Sequence, residues 1–253
     1  MRRGILKWVA REGASPSSTG FSRARWGYRA TGPVLIILTL FFASILYAAE
    51  FPFKVGETIH YDIKKMGMKA GEATLTFNGV QEKDGQDTLL ITFTSKGFQF
   101  FDEEKIYLDP KTFYPIVVER NLDIFGKNEK ITENYSHNEV TIVKITKDNK
   151  VEEVIKKGAP LDNIYGFIYR YRAQGSFEMG EEMEINLPTQ NVTVKLTDRK
   201  EFKVDGHTYN AFYAVGKPKK LKIWFADTSD KLPLRIDGAL MGKTSLIMKE
   251  KRE

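Results

Sequence analysis

Cysteine is missing from all 253 residues. That excludes a disulfide, a thiolate metal site, a catalytic thiol and the modified cysteine of a lipoprotein signal. Histidine is scarce: His60, His137 and His207 stand far apart, with no HxH or HExxH spacing, so no metal site is expected. The alternation places His60 on the polar face of a strand and the other two in turns. No GxSxG elbow occurs, and no glycine-rich loop stands between a strand and a helix. No catalytic residue and no cofactor is assigned, and the chain is not expected to be an enzyme.

Excess charge is also lacking once the chain is divided. The net charge is +6, from 39 basic and 33 acidic residues. Residues 1–49 hold Arg2, Arg3, Lys7, Arg11, Arg23, Arg25 and Arg29 against Glu12 alone, which accounts for all of it. The neutral body, 50–253, gives no footprint for nucleic acid. The basic segment leads into an apolar run, Val34 to Ala49, followed at once by strand-like sequence. We read 1–49 as an export signal cut before Glu50, with a retained inner-membrane anchor over 34–49 as the alternative. Tyr47, three residues before the cut, is large for a signal-peptidase pocket. The body is then expected in the periplasm. At about 200 residues it can bury a core without cross-links.

From Gly56 onward polar and apolar residues alternate over short runs. Ile59, Tyr61 and Ile63 share one face, as do Ala73, Leu75 and Phe77; Leu89, Ile91 and Phe93; and Leu221, Ile223 and Phe225. Turn pairs such as Asp84-Gly85, Asp109-Pro110 and Asp205-Gly206 bound them. Period-two alternation with one wet side predicts a mainly β fold: a large antiparallel curved sheet or incomplete barrel. The pattern also repeats. "KIYLDPKTFYPIVVER" (105–120) matches "KIWFADTSDKLPLRID" (222–237), and Gly56-Glu57 matches Gly180-Glu181. Two similar meander halves, about 56–125 and 180–248, are expected within one domain, as one continuous sheet or two packed ones.

Between the halves lies "DNIYGFIYRYR", residues 162–172. It fits a strand with Tyr165, Phe167, Tyr169 and Tyr171 on one side. It also fits a helix with Ile164, Phe167, Ile168 and Tyr171 on one stripe. A single linker between two β halves favours a helix over about 161–173, with Asp162 as N-cap and an end near Gly175. Its second face carries Tyr165, Tyr169 and Arg172. A helix apolar nearly all round must be covered on two sides, so it is expected to plug or lid the sheet. These three residues are the candidate ligand-binding set, with Arg172 as anchor for an anionic headgroup.

Three other stretches receive plainer readings. "DEEK" (102–105) reads as a solvated turn. "GFQFF" (97–101) reads as core, with part of an apolar pocket as the alternative. "GKPKKLK" (216–222) reads as lysines blunting an edge strand, and secondarily as a contact to anionic lipid.

Taken as a set, "GETIHYDIKKMGMKAGEATL", "YLDPKTFYPIVVERN", "PLDNIYGFIYRYR" and "IWFADTSDKLPLRIDG" resemble the bacterial exported family called domain of unknown function 3108. They cover most of 55–248, in that family's order. The resemblance implies a periplasmic β-rich domain and brings no activity or catalytic residues. A more distant likeness is to lipoprotein-carrier proteins, where helices close a curved sheet around an apolar cavity; this chain offers one helix rather than several. The expected function is binding of a lipid or other apolar molecule. The alternatives are a structural or interaction protein with an envelope partner and, last, an enzyme. A membrane contact is expected only through an uncut N-terminal segment.

Overall fold

In a computed structural model, the described residues are 51–204, 206–217, 221–238 and 244–252. The proposed signal or anchor, the turn residue Asp205 and the centre of the lysine run lie outside them. No described helix is long and apolar enough to cross a membrane.

The first meander comprises β1 (Thr58–Lys65), β2 (Met68–Lys83), β3 (Gln86–Gly97), β4 (Phe100–Leu108), β5 (Pro115–Ile124), β6 (Lys127–Ser136), β7 (Glu139–Ile145) and β8 (Lys150–Lys156). Helix α1 (Ile164–Gln174) follows. The second meander is β9 (Glu182–Leu187), β10 (Gln190–Val204), β11 (His207–Lys217), β12 (Lys222–Ala226), β13 (Pro233–Asp237) and β14 (Thr244–Arg252). All fourteen strands form one antiparallel sheet, curved but not closed. The meanders join where β1 pairs with β14, leaving β8 and β9 as the two edges. Edge β8 reads Lys-Val-Glu-Glu-Val-Ile-Lys, and its charges discourage pairing with another chain. The described flanks of the lysine run, Lys217 and Lys222, lie on β11 and β12, which are interior strands, so these two lysines guard no edge.

The repeat read from the sequence recurs in the backbone. Gly56 and Gly180 both have φ +91°, a conformation open to glycine and strained for other residues. Gly56 donates its N–H to Phe77 O at 2.8 Å, and Gly180 donates to Leu196 O at the same distance. Phe77 N in turn donates to Glu57 O, and Leu196 N to Glu181 O, both at 2.9 Å. The β4–β5 and β12–β13 hairpins match as well. Asp109 N donates to Tyr114 O, and Ala226 N donates to Leu232 O. Thus β1–β5 correspond to β9–β13.

The helix lies inside the curve. Asn163 is the N-cap, accepting from the N–H groups of Tyr165 and Gly166 at 2.9 and 3.2 Å. Asp162, expected in that role, pairs instead with Arg170 and accepts from Asn186 N. The helix ends at Gly175, whose N–H reaches Tyr171 O. The two candidate faces meet opposite halves of the sheet. Tyr165 stacks on Phe93 at 4.1 Å and Tyr169 meets Phe53 edge-on at 4.8 Å. Tyr171 packs on Phe177 and Phe225 at 4.3 and 5.4 Å. Every residue from Tyr165 to Tyr169 is buried, so the helix is a plug. Gly166 eases this fit: a Cβ there would lie 3.0 Å from Leu108 Cδ2, which would have to give by a few tenths of an ångström.

Candidate functional site

The inner face of β4 sets the site. Period-two geometry places Phe100, Asp102, Glu104, Ile106 and Leu108 on one side, and the last four are buried. The "DEEK" stretch is therefore strand, not solvated turn, and two of its carboxylates point inward. Ile106 and Leu108 fix that parity and were the signal for it. Opposite them on β5 stand Ile124, Leu122, Arg120 and Val118. The order from the rim inward is apolar, then charged, then apolar against the helix.

Arg120 faces Glu104 in register but reaches diagonally to Asp102. Its Nε donates to Oδ1 at 2.7 Å and its Nη2 to Oδ2 at 2.6 Å. Glu104 accepts from Asn163 Nδ2 at 2.5 Å, so the residue that caps the helix also holds the carboxyl. On β6, Glu133 accepts from Tyr135 Oη at 2.5 Å. Burial pushes Glu104 up to about 7, against the pull of Arg120 and the Asn163 hydrogen bond. Burial also raises Glu133, opposed by Tyr135 and Arg120. A cavity of about 280 Å³ opens beside these groups, lined by Asp102, Glu104, Arg120, Glu133, Tyr135 and Tyr165, and by the β9–β10 turn.

Nearer the rim is a second pocket of about 340 Å³. Ile63, Phe98, Phe100, Leu122, Ile124 and Phe125 line it, and Asp102 and Arg120 form the wall it shares with the polar cavity. "GFQFF" is thus not core. Phe98 is 85 % exposed at the β3–β4 turn, and Phe100 lines the pocket. Phe125 at the β5–β6 turn is 70 % exposed, and Met66 and Met68 at the β1–β2 turn are 82 % and 72 % exposed. All three turns lie at one end of the sheet. Lys65, Lys69, Lys96 and Lys127 stand exposed among them.

The three candidate ligand residues divide. Tyr165 lines the polar cavity, and its buried hydroxyl has no hydrogen-bond partner. Tyr169 lies in the aromatic packing around the helix. Arg172 sits at the helix's other end, where its two Nη atoms donate to Glu57 at 2.7 and 3.1 Å. Its Nε and Nη2 also reach Asp230 O at 3.0 and 2.9 Å. The next residue back, Tyr171, donates from its hydroxyl to Glu181 at 2.7 Å. Glu57 and Glu181 are the repeated Gly-Glu glutamates, so neighbouring helix residues are tied to equivalent points of the two halves. No group of three or more metal-ligating side chains occurs among the described residues.

A family model for a protein of unknown function, DUF3108, matches residues 58–243. The chain belongs to that family. No curated protein matches. Two crystal structures are similar at 8 % identity: a Bacteroides fragilis protein described as exported with a YmcC-like fold, TM-score 0.29, and a Parabacteroides distasonis protein described as a lipoprotein, TM-score 0.24. Each alignment covers 80 % of this chain and 98 % of the other. At these scores the likenesses carry no inference about this member of the family.

Proposed function

We propose that this DUF3108 member is an exported envelope domain that binds a lipid-like molecule at the rim of its sheet. The carrying observation is the apolar pocket between aromatic-tipped hairpins. Ligand sites are mostly apolar concavities with a few polar anchors, and Asp102 and Arg120 stand at the end of this one. Four large apolar side chains on three tips, with lysines between them, suit insertion into an anionic bilayer surface. The tips would rest on the membrane and the pocket would take acyl chain from it. The basic and apolar segment before Glu50 supports export to the envelope. Tyr165 keeps a ligand-facing role, while Tyr169 and Arg172 hold the plug in place.

A second reading has its own support. The helix fills the deep interior, as in a packed domain that acts through an envelope protein. Native mass spectrometry of the protein purified mildly from its own envelope separates the two. An added mass that dissociates as lipid supports the first. A lipid-free chain with a stoichiometric protein overturns it in favour of the second. No catalytic step is assigned to either.

A further inference from the structure

We propose that the polar cavity between β4, β6 and the start of α1 is a seat for a primary ammonium group, with Glu104, Glu133 and the Tyr165 hydroxyl as its acceptors. This rests on the reading above for the rest of the ligand, whose apolar part would lie in the neighbouring rim pocket. The ligand is then an amphiphile with an amine-bearing headgroup.

The charges around the cavity do not balance within the protein. Of its four carboxylates, Asp102 takes both hydrogen bonds of Arg120, and Asp162 is paired with Arg170. Glu104 and Glu133 receive neutral donors only, an amide and a phenol. Arg120 is already committed to Asp102, so neither glutamate has a cation of its own among the described residues. Such groups are costly to bury ionised, and burial accordingly raises the proton affinity of both Glu104 and Glu133.

Tyr165 supplies an independent observation. Its ring stacks on Phe93, and its hydroxyl is buried with no partner. A buried tyrosine hydroxyl ordinarily finds one. The missing partner and the unmatched carboxylates line the same cavity. An ammonium group offers three N–H donors and a positive charge, which answers both. A trimethylated ammonium carries the charge without donors, and an anion would add to the surplus of carboxylate.

The test uses three soluble probes with the same chain: octylammonium, octyltrimethylammonium and octanol, titrated calorimetrically into the native domain at pH 8. Hydrogen bonds to charged groups predict that octylammonium binds at least about tenfold tighter than the other two. Equal affinity for all three overturns the ammonium seat and leaves the apolar pocket standing. At pH 5, where Glu104 is protonated, the preference should shrink; the groups facing it are Asp102, Arg120, Glu133, Tyr135, Asn163 and Tyr165. The double variant E104Q/E133Q should lose the preference and retain octanol binding. The probe comparison on the unaltered protein decides the matter even if that variant does not fold. F98S should weaken all three probes alike. If it leaves octylammonium untouched and ethylammonium binds as well as octylammonium, the ammonium seat holds and the lipid reading fails.

Discussion

Two polar clusters sit at the two ends of one helix, and they are built on opposite plans. At the C-terminal end Arg172 and Glu57 are side chains exposed to 0 % and 1 %, paired twice over and supplemented by Asp230 O and by Lys251, 3.5 Å from Glu57. Cation and carboxylate match, and the ion pair is enclosed. At the N-terminal end carboxylates outnumber cations and a cavity adjoins; an unpartnered tyrosine hydroxyl occurs at both ends, Tyr165 here and Tyr169 beside Arg172. Burial alone does not separate a structural cluster from a receptive one; charge balance does. The first holds the helix to the sheet, and the second is held ready by it through Asn163.

The difference can be broken most forcefully at the closed end. Arg172→Met leaves Glu57 buried beside a single lysine and should cost about 3–5 kcal/mol of stability, read by urea unfolding at pH 7. A cost below about 1 kcal/mol would mean that Lys251 suffices and the cluster is not the clamp.

At the open end the effect should be nearly as large but of the opposite sign. Glu104 binds its proton more tightly when folded, with about 7 against an ordinary 4.5. Between those pH values the folded chain holds the extra proton, so stability falls as pH rises through the window, by about 3 kcal/mol in all. Glu104→Gln should flatten that slope, leaving stability at pH 5 little changed and raising it at pH 8. A slope unchanged by the substitution would place the titration elsewhere.

Asn163 ties the helix start to the open cluster. Asn163→Ala removes the helix cap and the Glu104 donor at once, and should cost about 1–2 kcal/mol. Asn163→Asp should restore the cap yet oppose Glu104 with like charge, so it should recover less at pH 8 than at pH 5. The smallest effect on stability belongs to the rim. Phe98→Ser and Phe125→Ser should each change it by less than about 0.5 kcal/mol while reducing co-sedimentation with mixed phosphatidylethanolamine–phosphatidylglycerol vesicles. Undiminished sedimentation of the double variant would remove the tips from any membrane contact.

Much of the fold could be read from residue order. Alternation marked the strands, the Gly-Glu and Lys-Ile-aromatic echoes marked the halves, and the helix was placed to within a few residues. The site was less legible because solvated acids and inward-facing acids look alike in composition. Only strand parity, carried from Ile106 and Leu108 back to Asp102 and Glu104, distinguishes them. The N-cap was misplaced because Asp162 and Asn163 are equally good candidates locally. The choice is made by partners remote in sequence, Arg170 for one and Glu104 for the other. Phe98 and Phe101 read as core for a similar reason: aromatic content signals burial unless the turn between two strands is located first.

The seam between β1 and β14 bears on how the molecule comes into being. Thr58 stands opposite Arg252, so the earliest strand of the sheet finds its neighbour in the last one synthesised. Pairings so distant along the chain close late and slowly. Until they close, β1 offers an open edge to any passing strand, and the concave face of the first meander waits for a helix made after it. The interval between emergence and closure is when this chain is most exposed to aggregation. A circular permutant opened at the β8–α1 connection, with residues 51–57 kept in the join between β14 and β1, would shorten that interval by bringing the two seam strands close along the chain.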